Sequence, residues 1–167
     1  MEHTHPRARQ AAVYIRSLGA HLKLYFAIME TRWQDPQAVS SMLDDWETWA
    51  IVGLSGNPDR TAFRIAELLQ RRGKRIVPIH PDAPTVLGEQ GYATLADVPF
   101  PIDVVDVFRQ SESAGEFADQ AVEIGAKGVW FQLGVIDEAA FQRTIATGVA
   151  MVMDTCPAIE WGARESA

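Results

Sequence analysis

The sequence predicts an α/β fold built on a doubly wound, five-stranded parallel sheet, with extra helices at the N-terminus. Between residues 49 and 153, apolar runs of strand length alternate with helical patterns. The runs are apolar throughout, which is typical of strands buried on both faces of a parallel sheet. Repeated strand–helix alternation favours right-handed crossovers. In such a sheet, ligands bind at the carboxyl ends of the strands, where the winding direction reverses.

The first 34 residues are predicted to form a helical extension outside the sheet domain. Residues 9–30 carry apolar side chains at intervals of three and four, together with several basic residues. This pattern is typical of an amphipathic appendage, or of a helix that binds a partner or a membrane surface. The other alternative is that the segment is upstream sequence ahead of a translation start at Met29. Asp35 and Pro36 then begin a second helix, as N-cap and first helical residue.

Five strands and three further helices are predicted in the rest of the chain. The strands are residues 49–54, 74–79, 102–108, 128–132 and 149–153, and the helices are 61–72, 113–125 and 138–147. Ser113 has the pattern of a capping box, and Asp137 is an N-cap candidate. Pro78 lacks a ladder donor, so its strand either lies at a sheet edge or contains an irregularity. No periodicity continues beyond Asp154.

The first strand is followed by a small polar loop and then by a helix. This order presents backbone N–H groups at a helix N-terminus, which suits a phosphate or diphosphate. The loop is neither a G-x-G-x-x-G fingerprint, because Ser55 and Pro58 replace two glycines, nor a Walker loop. The loop alone leaves two alternatives open, an anionic ligand or a tight turn that binds nothing. Four such loops converge on one crevice: residues 55–60, 80–81, 108–109 and 132–134.

Composition excludes several classes of function. The chain has 167 residues, enough for one domain with a core, and a net charge of −7, which argues against a nucleic-acid surface. A single cysteine excludes an internal disulfide framework and a cysteine-based zinc site. There is no apolar run of membrane-spanning length and no signal-peptide pattern, so we expect a cytoplasmic protein that binds no membrane.

Two carboxylates in the third strand, Asp103 and Asp106, suggest either an acid–base pair or two unrelated residues. Because they are three residues apart on a strand, their side chains point to opposite faces, and we prefer the second interpretation. His80 follows the second strand, where a nicotinamide-dinucleotide site normally has an acidic residue. This argues against NAD. We predict no catalytic residue and no metal ligand.

Short motifs from about Trp46 to Glu160 together resemble the family of small, stand-alone CoA-binding domain proteins. That family is similar to the N-terminal domain of the succinyl-CoA synthetase alpha subunit. The order and spacing of the motifs make the resemblance specific. They are residues 50–55 (AIVGLS), Asn57-Pro58-x-Arg60, residues 77–81 (VPIHP), Gly88-Glu89, residues 104–109 (VVDVFR), residues 125–127 (GAK), residues 130–134 (WFQLG) and Met153-Asp154-x-Cys156-Pro157.

The resemblance implies a Rossmann-like fold over residues 35–160 that binds coenzyme A, with residues 161–167 as a tail. It also implies a proline within an interior second strand. By the resemblance, the residues at the diphosphate are Gly53, Ser55, Gly56, Asn57 and Arg60. Those along the adenine, ribose or pantetheine path are His80, Pro81, Phe108 and Arg109.

The chain departs from the family pattern at three places, and two of the changes remove groups near the ligand: hydroxyls at residues 61–63 and a positive charge at Thr155. His80 stands in place of asparagine, residues 61–63 in place of Pro, Ser and Tyr, and Thr155 in place of arginine. We therefore expect weaker CoA affinity and a larger role for Arg60.

The predicted function is a non-catalytic module that binds CoA or an acyl-CoA. We also expect it to associate with a protein partner or with a second copy of itself. The alternatives are an enzyme on the same fold that acts on an acyl-CoA or nucleotide, and an NAD-binding redox sensor. Cys156 is interpreted as a small buried hydrophobic residue, with a mixed disulfide to the CoA thiol as the alternative.

Overall fold

The computed structural model describes Gly19 and residues 32–167, and residues Trp33–Ala167 form one compact unit. The predicted helix over residues 9–30 lies outside the described residues, apart from Gly19. The strands are β1 (Thr48–Val52), β2 (Arg75–Ile79), β3 (Val104–Val107), β4 (Gly128–Phe131) and β5 (Ala150–Val152). The α-helices are α1 (Pro36–Ser40), α2 (Thr61–Arg71), α3 (Ser111–Glu123), α4 (Glu138–Ala146) and α5 (Pro157–Glu165). Short 3₁₀ turns at Arg32–Gln34 and Leu95–Asp97 and a π-helical turn at Ser41–Asp45 complete the described elements.

All five strands are parallel, in the order β2-β1-β3-β4-β5. The predicted fold class is therefore confirmed. The register aligns Val52 with Ile79 on one side and with Val107 on the other, so β1, β2 and β3 end at the same level. The winding direction reverses between β1 and β3, which is where a parallel sheet of this type opens a crevice.

Helices cover both faces of the sheet. On one face α1, α2 and α5 pack against Trp49, Ile51 and Trp130, and the indole rings of the two tryptophans lie 5.7 Å apart. On the other face α3 and α4 pack against Val105 and Val107 of β3 and against Phe131. Burial on both faces explains why the strands read as continuous apolar runs.

Backbone from another segment forms hydrogen bonds at one end of each edge of the sheet. β2 lies at one edge, and Tyr92 pairs with it there: the Tyr92 N–H donates to the Pro78 carbonyl (2.9 Å), and the His80 N–H donates to the Tyr92 carbonyl (3.0 Å). The expectation of an interior strand at Pro78, which came from the family resemblance, is wrong, and the edge alternative is correct. Just past β5, at the other edge, the Met153 N–H donates to the carbonyl of Trp33 (2.8 Å).

Of three predicted helix N-termini, two are confirmed and one is wrong. Asp35 and Asp137 cap their helices, accepting hydrogen bonds from the N–H groups of Ala38 and Ala140 at 2.9 Å. The capping box at Ser113 is wrong, because α3 already begins at Ser111 with Gln110 at its N-cap.

The expectation of a tail without periodicity after Asp154 is also wrong. Residues Pro157–Glu165 form α5, in which Trp161 is buried against the α2 side of the core. Trp161 is the single large apolar residue of that helix to be buried, and so short a stripe gives little periodic signal.

Candidate functional site

A cleft of about 960 Å³ lies at the carboxyl ends of the strands, over the point where the winding direction reverses. Its walls come from the segments that follow all five strands, as expected for a doubly wound sheet. The residues that line it are Gly53, Ser55, Asp59, Arg60, Thr61, Ala62, His80, Phe108, Arg109, Gln110, Ser113, Gln132, Leu133, Val135, Cys156 and Ile159.

Gly53 allows the chains leaving β1 and β3 to approach each other at the centre of the cleft. It has a φ of +93°, and a Cβ there would lie 2.8 Å from the carbonyl oxygen of Phe108. Its N–H donates to the carbonyl of Ile79 at 2.8 Å, which extends the pairing with β2. A residue with a side chain would be strained by its backbone and would also clash.

The loop after Gly53 is shaped by its own hydrogen bonds. The side-chain oxygen of Asn57 accepts from the N–H of Asp59 (3.0 Å), and its carbonyl accepts from the N–H of Arg60 (3.2 Å). The N–H of Asn57 itself points to the hydroxyl of Ser55 at 3.4 Å. Asn57 and Gly56 do not line the cleft, whereas Ser55 and Arg60 do. Asn57 therefore holds the loop in its turn.

The N-terminus of α2 opens on the cleft. Arg60 stands at the N-cap without using its side chain as a cap, and the first turn of the helix contains no acidic residue. Thr61 and Ala62 of that turn line the cleft. The N–H groups of a first helical turn lack helical partners and sit at the positive end of the helix dipole. This end of α2, with the Arg60 guanidinium beside it, is suited to an anion, although the carboxylate of Asp59 lies next to it.

The opposite wall comes from the end of β3 and the start of α3. Phe108, Arg109 and Gln110 follow the strand, and all three line the cleft. The guanidinium of Arg109 lies 5.8 Å from the centre of the Phe117 ring. Two cationic side chains, Arg60 and Arg109, thus border the cleft from its two walls.

His80 lines the cleft beyond β2, and its neighbour Pro81 does not. The N–H of Asp82 donates to Nδ1 of His80 at 3.2 Å. Since Nδ1 acts as an acceptor there, a neutral ring carries its proton on Nε2. His80 can therefore donate one hydrogen bond to a ligand from Nε2.

A buried pair of polar side chains lies under the cleft. Nε2 of Gln132 donates to Oδ1 of Asp106 at 2.6 Å, and both residues are buried. Within the described residues, Oδ2 of Asp106 has no hydrogen-bond partner. Burial raises the pKa of Asp106 to about 8, and the hydrogen bond from Gln132 acts weakly in the other direction. Asp106 is therefore a neutral carboxylic acid at neutral pH.

Asp103 is also apart from Asp106, but because it lies before β3 and not, as predicted, on the opposite face of that strand. It precedes β3, and its carboxylate accepts from the N–H groups of Glu47 and Thr48 at 3.0 Å and pairs with Lys127 at 2.9 Å. This position is at the amino-terminal end of the sheet, opposite to the cleft. The two carboxylates do not form an acid–base pair.

The far end of the cleft is apolar. Cys156, at the N-cap of α5, lines it together with Leu133, Val135 and Ile159. Burial raises the pKa of the Cys156 thiol, and hydrogen bonds from the N–H groups at the start of α5 only partly offset this. Cys156 is therefore a neutral thiol near neutral pH.

The structure brings six of the nine residues singled out from the sequence to the lining of one cleft: Gly53, Ser55, Arg60, His80, Phe108 and Arg109. The other three, Gly56, Asn57 and Pro81, lie in the same loops without lining it. Thr155, where the family has arginine, is buried, and its hydroxyl donates to Glu160.

Sequence reasoning placed residues 132–134 at the crevice but not its apolar end, and it singled out Asp106 without predicting the hydrogen bond from Gln132. A carboxylate among valines in a strand buried on both faces was the available signal for Asp106. Among residues 32–167 there is no cluster of three His, Cys, Asp or Glu side chains able to hold a metal ion. No helix in this part of the chain is long and apolar enough to cross a membrane.

Comparison with known proteins identifies relatives that match well over half of the chain. The chain is 36% identical over 107 residues, which is 64% of this chain and 79% of the relative, to the uncharacterized protein YneT of Bacillus subtilis. A hypothetical protein from Pyrococcus horikoshii has a similar structure, with a TM-score of 0.69, 27% identity and 94% of each chain covered. An acetyl-coenzyme A synthetase of Candidatus Korarchaeum cryptofilum shares the fold, with a TM-score of 0.56 and 23% identity over 69% of this chain and 26% of that one.

The family of CoA binding domains is represented by a sequence model that matches residues 47–162. The match runs from the residue before β1 into α5 and includes every residue that lines the cleft. The order of motifs, the parallel sheet and the cleft at its carboxyl edge agree with this match, and the chain belongs to the CoA binding domain family.

Proposed function

We propose that this protein binds coenzyme A or an acyl-CoA in the cleft, as a binding or regulatory module without catalysis of its own. The observation that carries the proposal is the uncapped N-terminus of α2, which opens on the cleft with no acid in its first turn and with Arg60 beside it. Membership of the CoA binding domain family supports the same ligand.

In the proposed complex, the diphosphate lies on the first turn of α2. The N–H groups of Thr61 and Ala62 and the guanidinium of Arg60 would hold it, and Gly53 would let it approach the backbone. Ser55 adds a hydroxyl, while Gly56 and Asn57 act by shaping the loop. The rest of the ligand would run past His80, Phe108 and Arg109, with Pro81 fixing the loop that carries His80.

The polar groups of the cleft favour binding over catalysis. Asp106 lies beneath Gln132 and does not line the cleft, so it has no direct path to a ligand. The Cys156 thiol is not activated, because burial raises its pKa. An activated nucleophile normally needs a base beside it or a lowered pKa. We further propose that the binding unit is Trp33–Ala167 rather than residues 35–160, because Trp161 is buried in its core, and that it acts in the cytoplasm.

Isothermal titration with CoA, 3′-dephospho-CoA, NADH and ATP tests the proposal. Arg60→Ala should weaken CoA binding by roughly tenfold or more, as a lost charge-assisted contact implies. Arg64→Ala is the matched control, because Arg64 lies one turn along α2, is exposed and does not line the cleft. Binding of NADH or ATP but of no CoA form would refute the proposal. Equal losses in the two variants would refute the placement of the diphosphate.

A further inference from the structure

Large apolar side chains are exposed at one end of the cleft. Leu133 is 61% exposed, Ile159 is 49% exposed and Ile136 is 40% exposed. Among the described residues, these are the exposed large hydrophobic side chains, and they come from the segments that follow β4 and β5. Leu133 and Ile159 line the cleft, and Ile136 follows in the same turn as Leu133. We call these three residues the apolar rim.

The apolar rim is held in place by hydrogen bonds from neighbouring segments. The N–H of Gly134 donates to the carboxylate of Asp154 at 2.8 Å, and the N–H of Ile136 donates to the hydroxyl of Ser111 at 3.0 Å. Asp154 itself has a φ of +58°, a conformation that a residue other than glycine rarely adopts. These contacts hold the backbone of the turn that carries Leu133 and Ile136.

The charged and apolar ends of the cleft are separated across the sheet. Arg60 and the start of α2 follow β1, whereas the apolar rim follows β4 and β5, with β3 between them. Neighbouring strands are about 4.8 Å apart, so the ends of β1 and β4 lie roughly 10 Å apart. A ligand that reaches from one end to the other must be long, anionic at one end and apolar at the other.

We propose that the apolar rim binds the acyl chain of a CoA thioester, so that the preferred ligand is an acyl-CoA with an apolar chain. This proposal rests on the proposed function and specifies the class of ligand. Because the apolar rim is continuous with the cleft lining, its occupant is a group attached to the bound CoA. The Cys156 side chain, a neutral thiol, adds no charge beside that chain.

Calorimetric titration with CoA, acetyl-CoA, butyryl-CoA and hexanoyl-CoA tests this assignment. Affinity should rise roughly two- to fourfold for each methylene that the rim covers, as partial to full burial of a methylene implies. In the double variant Leu133→Gln with Ile159→Gln, the dependence of affinity on chain length should disappear, whereas Arg64→Ala, at an exposed residue outside the cleft, should retain it. Arg60→Ala should weaken binding of every thioester by a similar factor.

The outcomes separate the two proposals. Tight CoA binding with no gain from longer chains overturns the acyl-chain site and leaves the proposed function standing. Failure of every CoA form to bind overturns both. The rim would instead be a contact between two copies if sedimentation shows a dimer that the double variant dissociates while the chain-length dependence is absent. Both substitutions replace exposed residues, and circular dichroism of the double variant verifies that it is folded.

Discussion

The buried carboxyl of Asp106 should make the protein less stable as pH rises, and Asp106→Asn should remove that dependence. Burial raises the pKa of Asp106 from 3.8 to about 8, despite the hydrogen bond from Gln132. Between these two values the folded protein binds one proton that the unfolded chain has lost. The free energy of unfolding therefore falls with rising pH throughout this window.

The size of the effect follows from the pKa shift. A shift of one pKa unit corresponds to about 1.4 kcal/mol, so between about pH 5 and pH 7 this residue lowers the free energy of unfolding by about 3 kcal/mol. Its contribution is fully present below the unfolded pKa and is lost as pH rises through the folded value. Asparagine keeps the shape, and its Oδ1 still accepts the hydrogen bond from Gln132, but it has no proton to lose. The native protein should therefore lose about 3 kcal/mol relative to the variant over the same interval.

Urea unfolding followed by tryptophan fluorescence at a series of pH values measures this difference. Asp103→Asn is the matched control. Burial would raise the pKa of Asp103, but hydrogen bonds from the Thr48 N–H, Lys127 and the Glu47 N–H outweigh it and lower that pKa. The pH dependence of stability therefore has the opposite sign for Asp103. Asp103→Asn should lower the free energy of unfolding at neutral pH, and this loss should shrink as pH falls through the folded pKa of Asp103. Parallel pH profiles for the native protein and Asp106→Asn would refute the reasoning.

Three more substitutions or reactions have defined outcomes. Gly53→Ala should destabilise the protein by about 2 kcal/mol or more, because Gly53 has a positive φ and a Cβ there would clash with the Phe108 carbonyl. Gly56→Ala should change stability little, because there is open space around its Cβ. Thermal unfolding compares the two variants, and equal effects would contradict the role of Gly53. Cys156, the one cysteine of the chain, should react with a disulfide reagent more slowly than free cysteine at neutral pH, because burial raises its pKa; a faster reaction, measured by absorbance, would be inconsistent with a neutral thiol. Trp161→Ala should cost roughly 3–5 kcal/mol, as for large buried aromatic residues; a urea midpoint close to the native one would show that α5 is not part of the core.

The parts of the fold that follow from local pattern were predictable. Each strand is buried on both faces, so its apolar run is visible without knowledge of its neighbours. α2 and α3 carry apolar stripes long enough to show a helical period. The loops at the cleft were predictable for a topological reason, because the carboxyl ends of parallel strands meet at one edge of the sheet.

The rest depends on contacts between distant segments. Burial of Trp161 holds α5 against the core, and no apolar stripe along the helix indicates this in the sequence. The bond between Gln132 and Asp106 joins residues 26 positions apart, and the pKa of Asp106 follows from complete burial, which sequence alone does not give. The apolar rim was missed for a similar reason: Leu133 and Ile159 look like ordinary apolar residues until the fold leaves them exposed together.

The backbone hydrogen bonds at the two sheet edges bear on how copies of this chain can associate. An exposed edge strand offers a template for strand addition and for growth of a continuous sheet between molecules. Here the backbone of Tyr92 pairs with the carboxyl end of β2, and that of Trp33 pairs with the chain just past β5. Pro78 adds a position on β2 that has no donor to offer a neighbouring strand. Strand addition at these positions would have to displace the existing backbone contacts, which disfavours growth of a continuous sheet between folded copies.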